Sequence, residues 1–345
     1  MLNDTRQLAS LDRITDLRPI PGADAIEVGT VRGWDVVVRK GEYASGDEVV
    51  YVEPDAALPL DDERFAFLAP RGWKTIDGRR CHVLKTTRLR GQLSQGIVFP
   101  AHEFARESTD PRGLDASLGI LLWEPPAPPS DARQIGVWNL AWLKKTDAER
   151  VQNLSDEWLR GADDGLWAPT EKVDGTSLTY VLDQSNLRIY SRNWELDATD
   201  PEATPVRLGQ QYHVAQWMAR HGVDAVQGEM YGEGVNANRV GIKGQRLALF
   251  AAWRREGGRA LDAFDELYAT AGEEGLDVAP VIEGLEFPTT VREALEQADG
   301  RTSLISQRLA EGIVWHHRGD KDFPELDYRL VFKAVSAKFL LKHGL

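Results

Sequence analysis

The sequence predicts an α+β protein in two parts, a small β-barrel or sandwich in front and a mixed strand-and-helix domain behind it. Three observations carry that expectation. Residues 26–53 alternate apolar and polar side chains between glycine turns, the period-2 pattern of short antiparallel strands. Residues 177–332 interleave such strands with stretches whose apolar residues recur at helical spacing. Between them runs Glu124-Pro125-Pro126-Ala127-Pro128-Pro129-Ser130, stiff and poor in amide donors, which reads as a connector.

Each element follows from its local chemistry. Residues 26–31 read as a strand, Arg32-Gly33 as a turn and residues 34–38 as the partner strand. The chain turns again over residues 41–46, and residues 48–53 form a further strand. Gly96-Ile97-Val98-Phe99-Pro100 is a short strand closed by proline. In the second half, residues 177–182 and 187–191 flank the turn Asp183-Gln184-Ser185-Asn186, a hairpin signal. Residues 205–218 read as one helix with proline in its first turn, ended near Gly222. Strands are expected at 226–231 and 247–253, a helix at 260–270 on Leu261, Phe264, Leu267 and Tyr268, and closing strands at 312–316 and 329–332. The expected organisation is a first module over 1–122, a proline-rich linker over 123–135 and a second domain over 136–345.

Composition narrows the class. With 345 residues, 42% hydrophobic and 8% aromatic, the chain is ordinary for a globular protein with two cores. No apolar run is long enough for a membrane helix, and Met1-Leu2-Asn3-Asp4-Thr5-Arg6 is too polar for a signal core. The lone Cys81 cannot form an internal disulfide, which suits a reducing cytoplasm. Zinc-ligand spacings are absent. A net charge of −13 argues against non-specific coating of nucleic acid but leaves room for one basic cleft. Local basic clusters are Arg79-Arg80, then Lys85, Arg88 and Arg90, then Lys333, Lys338 and Lys342.

The chemistry concentrates at Glu171-Lys172-Val173-Asp174-Gly175-Thr176-Ser177. A lysine entering a hairpin is a candidate nucleophile, provided its amine is neutral. From a pKa of about 10.4, roughly one lysine in 10³ is neutral near pH 7.5, and a downward shift of about three units, ~4 kcal/mol, corrects this. A cationic neighbour such as Lys333, or a metal, is the expected cause. Asp174 either orients Lys172 or shapes the turn. An apolar strand ending in Phe250 offers a π face to a base. Glu229 and Glu311 both sit at strand signals flanked by glycine, and paired carboxylates suit a magnesium–phosphate site.

The order of these pieces resembles the covalent nucleotidyltransferase superfamily of ATP-dependent ligases and mRNA-capping enzymes. Residues Lys172 to Gly175 are similar to its nucleophile motif, and Glu171 and Gly175 fall with the ATP-binding set. Ser191-Arg192-Asn193 resembles the motif whose arginine, here Arg192, supports substrate or ribose contacts. Gly228-Glu229-Met230-Tyr231-Gly232 resembles the strand whose glutamate binds ribose, and Leu249-Phe250 the aromatic that stacks on the purine. Glu311-Gly312-Ile313-Val314 resembles the carboxylate motif near the metal. Phe332-Lys333 resembles the last motif, whose lysine contacts the α-phosphate. That motif often has a second lysine two residues on; Val335 stands there, with Lys338 as a partial substitute.

Only residues 334–345 follow Lys333, so the accessory barrel is expected in front rather than behind. That layout resembles RNA ligases typified by the Deinococcus radiodurans enzyme. The likeness rests on Gly41-Glu42-Tyr43, the run from Gly46 to Val52, the run from Leu89 to Gly96, and Lys145-Thr146-Asp147 with Arg150, Gln152 and Asn153. The resemblance implies an OB-like module before an ATP-grasp-like ligase core. It implies an enzyme that uses ATP and Mg²⁺ or Mn²⁺ to join 3′-OH and 5′-phosphate ends, through lysyl-AMP and adenylylated RNA. The implied substrate is a nick in duplex RNA or an RNA-containing hybrid, gripped by the front module with Arg88 and Arg90 as candidates, the enzyme acting as a cytoplasmic monomer away from membranes. A GTP-using guanylyltransferase and a non-catalytic OB-fold RNA-binding protein are the alternatives.

Overall fold

The computed structural model describes residues 6–104, 113–124, 131–184, 186–319, 321 and 323–345. The connector residues 125–130 lie outside them. The chain divides into two compact units: Met1–Pro125 with Gln152–Ser155 and Leu340–Leu345, and Pro126–Val151 with Asp156–Phe339.

In the first unit, β1 (Ala9–Pro19), β2 (Ile26–Val31), β3 (Trp34–Arg39) and β4 (Glu48–Val52) lead into β5 (Ala56–Pro59), β6 (Lys74–Ile76), β7 (Arg79–Val83), β8 (Thr87–Leu89), β9 (Gln92–Ser94) and β10 (Ile97–Pro100). Short helices α1 (Ala101–Phe104) and α2 (Leu114–Ser117) and the strand β11 (Leu121–Leu122) follow. The main sheet is antiparallel in the order β10-β4-β1-β2-β3, beside a smaller β11-β5-β7-β6 sheet and the β8–β9 hairpin. The run Val49-Val50-Tyr51-Val52 is apolar throughout because β4 is covered on both faces. Val49 and Tyr51 pack with Trp34 and Ile14, while Val50 and Val52 pack with Phe65, Phe99 and Phe104. The β2–β3 turn falls on Arg32-Gly33 as predicted, with Arg32 in the left-handed region at φ 51°.

The outlying segments are held by hydrogen bonds. The Trp34 indole donates to the Asn153 side-chain oxygen at 2.9 Å, and the Gly33 amide donates to the Gln152 carbonyl at 3.0 Å. The Lys85 ammonium donates to the Gly344 carbonyl.

The second unit runs through β12 (Gln134–Val137), β13 (Glu149–Arg150), α3 (Asp156–Ala162), β14 (Trp167–Lys172), β15 (Thr176–Asp183), β16 (Asn186–Ser191) and β17 (Trp194–Leu196). Helices α4 (Thr204–Gln211) and α5 (Val214–His221) precede β18 (Ala225–Gly232), β19 (Gln245–Glu256) and β20 (Arg259–Asp262). Then come α6 (Phe264–Thr270), α7 (Val291–Ala298), β21 (Gly312–His317), β22 (Val331–Val335) and α8 (Ala337–His343), whose last residues belong to the first unit. Seven antiparallel strands order as β12-β17-β16-β15-β18-β19-β20, and a second sheet orders as β13-β22-β21-β14 with β13 parallel to β22. Helices α4 and α5 bury Leu208, Val214, Trp217 and Met218 against Tyr180 and Val226 of the larger sheet.

Three expected elements are corrected. The single helix over 205–218 is two, because His213 adopts φ 52°, and its carbonyl then accepts from the Trp217 amide at 3.0 Å to start α5. The expected helix over 260–270 begins as a strand. Gly257 and Gly258, both at positive φ, close a hairpin that pairs Arg259–Asp262 with β19 and leaves Leu261 exposed. Asp262 then accepts from the Phe264 amide at 2.8 Å and α6 starts there. The last strand starts at Val331 rather than 329, after Leu330 at φ 48°. Helix α7 was missed, although its capping signal was present: Thr290 accepts from the Glu293 amide at 3.0 Å, and Glu293 reaches back to the Thr289 amide at 2.8 Å.

Gly96 joins β9 to β10 at φ 79°, where a Cβ would meet the Val52 carbonyl at 2.3 Å and the Tyr51 ring at 2.7 Å. Gly96→Ala is expected to destabilise the first unit by about 2 kcal/mol or more through strain plus clash. Urea unfolding should show a lowered midpoint, and an unchanged midpoint would refute this close packing.

Candidate active site

The predicted nucleophile sits where the chain crosses from one sheet to the other. Lys172 is the last residue of β14, and Thr176 opens β15 of the seven-stranded sheet. Register does the rest. Strand β14 pairs with β21 so that Lys172 faces Gly312 across the ladder, and β15 pairs with β18 so that Ser177 faces Glu229. Two glycines make the approach possible. A Cβ on Gly312 would meet the Ala334 carbonyl at 2.2 Å, and one on Gly175 would meet the Met230 carbonyl at 2.2 Å and the Glu229 side chain at 2.7 Å. Asn236 ties the crossing down by donating its amide to the Gly175 carbonyl.

Glu311, just before β21, closes on Lys172 with Nζ to Oε1 at 2.7 Å. A shallow recess opens beside them, lined by Glu171, Lys172, Asp174, Val240, Ser303 and Glu311. The electrostatics correct the expected cause of activation. Burial pulls the Lys172 amine down, but Glu311 and then Glu229 outweigh it, so its pKa is raised. The resting amine therefore favours its ammonium form, with the Glu311 carboxylate as its contact partner.

The carboxylates answer in kind. Burial, with Glu311 and Asp174 adding to it against Lys172, pushes Glu229 up to about 8. Burial and Glu311 push Asp174 up to about 6, against the pull of Arg239, whose guanidinium donates to Oδ1 at 2.8 Å. Asp174 Oδ2 is buried with no hydrogen-bond partner. So several acids and one amine share one poorly solvated space.

The remaining predicted residues take various places. Lys333 lies in β22 between the buried Phe332 and Ala334, opposite Val314 on one side and Arg150 on the other. Alternation thus turns Lys333 away from the aromatic cluster of Phe332, Trp315 and Trp167. Phe250 is the extra residue of a bulge in β19, because Gln227 pairs with Ala251 and Gly228 with Leu249. It is half-buried and packs against the cluster containing Val173, Tyr231 and Val240. Arg192 reaches Asp147 at 2.8 Å, and the Asn193 side chain accepts from Lys145 at 2.7 Å, so the segment from Lys145 is bound to the arginine motif.

Glu171 also lines the recess, and its oxygens accept from Ser303 Oγ and the Leu304 amide, each at 2.5 Å. Lys338 pairs with Asp299 at 3.3 Å. Arg88 and Arg90 are exposed on the β8–β9 turn, with Arg90 at φ 50°. Arg239, Asn236 and Ser303 went unnoticed in the sequence. The signal for the first two was Asn236-Ala237-Asn238, asparagine-rich as a run of left-handed residues requires.

Comparison with known proteins agrees with this geometry. A family profile described as OB-fold domain matches residues 8–101, and one described as RNA ligase matches residues 165–335. An apo variant of an RNA ligase from Naegleria gruberi is 30% identical, covers 99% of this chain and 99% of its own, and superposes with a TM-score of 0.86. The chain belongs to the RNA ligase family. Further structures of the Naegleria ligase, one with ATP and Mn and one with AMP and Mn, are 30% and 31% identical, each covering 98% of this chain and 99% of its own at TM-score 0.85. No curated protein is significantly similar in sequence. As an RNA ligase, the protein is an enzyme with an OB-fold domain ahead of its α+β catalytic domain.

A carboxyl whose folded pKa stands above its unfolded value of about 4.3 keeps a proton the unfolded chain has released. Glu229, near 8 in the fold, therefore costs stability progressively as pH rises from about 4.3 toward 8. In Glu229→Gln that loss is absent. Thermal melts should place the variant roughly 2–4 °C above the parent at pH 8.5, relative to their difference at pH 5. A pH-independent difference would contradict the protonated carboxyl.

Proposed function

We propose that this RNA ligase is ATP-dependent, of the type with an N-terminal OB module typified by the Deinococcus radiodurans enzyme, and that it seals nicks in duplex RNA or RNA-containing hybrids. The observation that carries the reading is the Lys172–Glu311 pair at the sheet crossing, with Glu229 and Asp174 around it. Lys172 Nζ attacks the α-phosphorus of ATP, forming a P–N bond as the bond to pyrophosphate breaks. The AMP then passes to the RNA 5′-phosphate, and the 3′-OH finally displaces AMP. Catalysis here is positioning and charge neutralisation.

The residues fit a divalent cation of the Mg²⁺ or Mn²⁺ kind. Such ions bind through one or two carboxylates plus waters and phosphates, and Asp174 Oδ2 is buried without a partner while Glu311 stands beside it in the recess. When bound, the cation draws negative charge from Glu311 and the phosphates, lowering the pKa of the amine. Glu311 meanwhile aims the amine, Asp174 is fixed by Arg239, and Lys333 presents a positive charge for the α-phosphate. Phe250 supplies a ring face for the purine, worth roughly 1–3 kcal/mol in stacking.

Incubation with ATP and Mn²⁺ should add the mass of one adenylate, and Lys172→Ala should abolish it. Labelling by GTP but not ATP would favour a guanylyltransferase, and RNA binding with no adduct a non-catalytic OB-fold protein. Because the resting amine is protonated, the rate of adduct formation should rise about tenfold per pH unit below the amine's pKa in the ATP complex, then level off. A flat profile between pH 6 and 9 in single-turnover labelling would remove deprotonation of Lys172 from the rate-limiting step. Sealing assays on nicked RNA and nicked DNA side by side test the substrate.

A further inference from the structure

The OB-fold unit carries a basic, aromatic stretch that the ligation chemistry does not use. Residues 64–90 hold eight lysines and arginines against one acid, Asp77, in a chain whose net charge is −13; Asp62 and Asp61, just ahead of the stretch, pair with Arg64 and Arg79 and leave the other six. In this stretch Trp73 stands 50% exposed just ahead of β6. An indole of that size exposes apolar area that a core would bury with a gain of about 2–3 kcal/mol. The chain holds it there by construction. Gly72 at φ 101° turns the backbone outward, and the His82 ring of β7 donates Nδ1–H to the Gly72 carbonyl at 2.7 Å.

The partner of Trp73 is cationic. Arg80 faces Thr75 across the β6–β7 hairpin and lays its guanidinium over the indole, 4.3 Å from the ring centroid. Its neighbour Arg79 is neutralised by Asp61 at 2.8 Å, whereas no carboxylate pairs with Arg80 among the described residues. Lys74, next to Trp73, is exposed and lies 5.1 Å from the Trp123 ring. By contrast, Arg88 bonds inside its own turn to the Gly91 carbonyl at 3.1 Å.

We propose that Trp73, backed by Arg80, is a base-stacking contact for an RNA strand, with Arg80 and Lys74 neutralising its phosphates. Charge decides the occupant: an uncompensated guanidinium stacked on a half-exposed indole matches a polyanion whose every unit carries a planar ring and a phosphate. The inference rests on the reading of the chain as an RNA-sealing enzyme and names the surface by which the OB-fold unit holds that RNA.

The test uses the full-length protein with a dye-labelled nicked RNA duplex and the corresponding single strand, read by fluorescence anisotropy. Trp73→Ala should weaken RNA binding about tenfold while Trp73→Phe keeps most of it. Arg80→Ala should weaken binding and reduce the salt slope by about one, with Lys172 labelling by ATP unchanged in all three. Unaltered RNA affinity in both alanine variants overturns the proposal and leaves the face to a protein partner. If Trp73→Ala also loses Lys172 labelling, photocrosslinking of the unmodified protein to iodouridine RNA decides. Crosslinks in the peptide containing Trp73 support the contact, and crosslinks confined to other peptides overturn it. Absence of labelling in the unmodified protein sinks the ATP-dependent reading instead.

Discussion

The ion pair between Lys172 and Glu311 is the constraint around which the catalytic unit is organised. An ammonium half-sunk in protein needs an anion within contact distance, or it loses its proton or forces the fold open. Holding that pair requires three strands in fixed register. β14 delivers Lys172, β21 follows directly from Glu311, and β22 closes on Gly312 where no side chain would fit. A one-residue slip of β14 against β21 would turn Lys172 to the other face.

The same constraint explains the unusual acids. Burial, and after it the negative charge of Glu311, raises Glu229 to about 8 and Asp174 to about 6, since the amine beside them already has a carboxylate partner. A site poised in this way accepts positive charge readily. It is also insulated from the rest of the unit by ordinary means: Arg239 clamps Asp174, Ser303 and Leu304 occupy Glu171, and the aromatic cluster of Trp167, Trp315 and Phe332 backs the sheet. Each of these contacts joins residues far apart in the chain. The acidic pocket lies in one unit and the basic stretch of residues 64–90 in the other.

Strands rich in apolar residues between turn signals were legible. β2, β3, β15, β16, β18 and β19 fall where such runs lie, β3 alternating between buried and half-exposed positions while β15, β18 and β19 are buried on both faces over much of their length. Helix limits were less so. The break at His213 and the hairpin at Gly257-Gly258 depend on single residues in left-handed backbone, which an apolar periodicity does not register. The long strand β1, Ala9–Pro19, was missed because its charged residues interrupt the pattern; its pairing with both β2 and β4 supplies the stability its own sequence does not advertise.

The sequence by itself determined the residue types and their order: a lysine before Asp-Gly, two glutamates beside glycines, an aromatic closing an apolar strand, and a late lysine. Order along a chain carries chemical identity, because side-chain chemistry is local. Tertiary structure alone decided which charges meet. It placed Glu311 against Lys172, turned Glu171 toward Ser303, gave Lys338 to Asp299 and brought Arg239 to Asp174. The sign of a pKa shift depends on neighbours within a few ångströms and on burial, and strand register sets both.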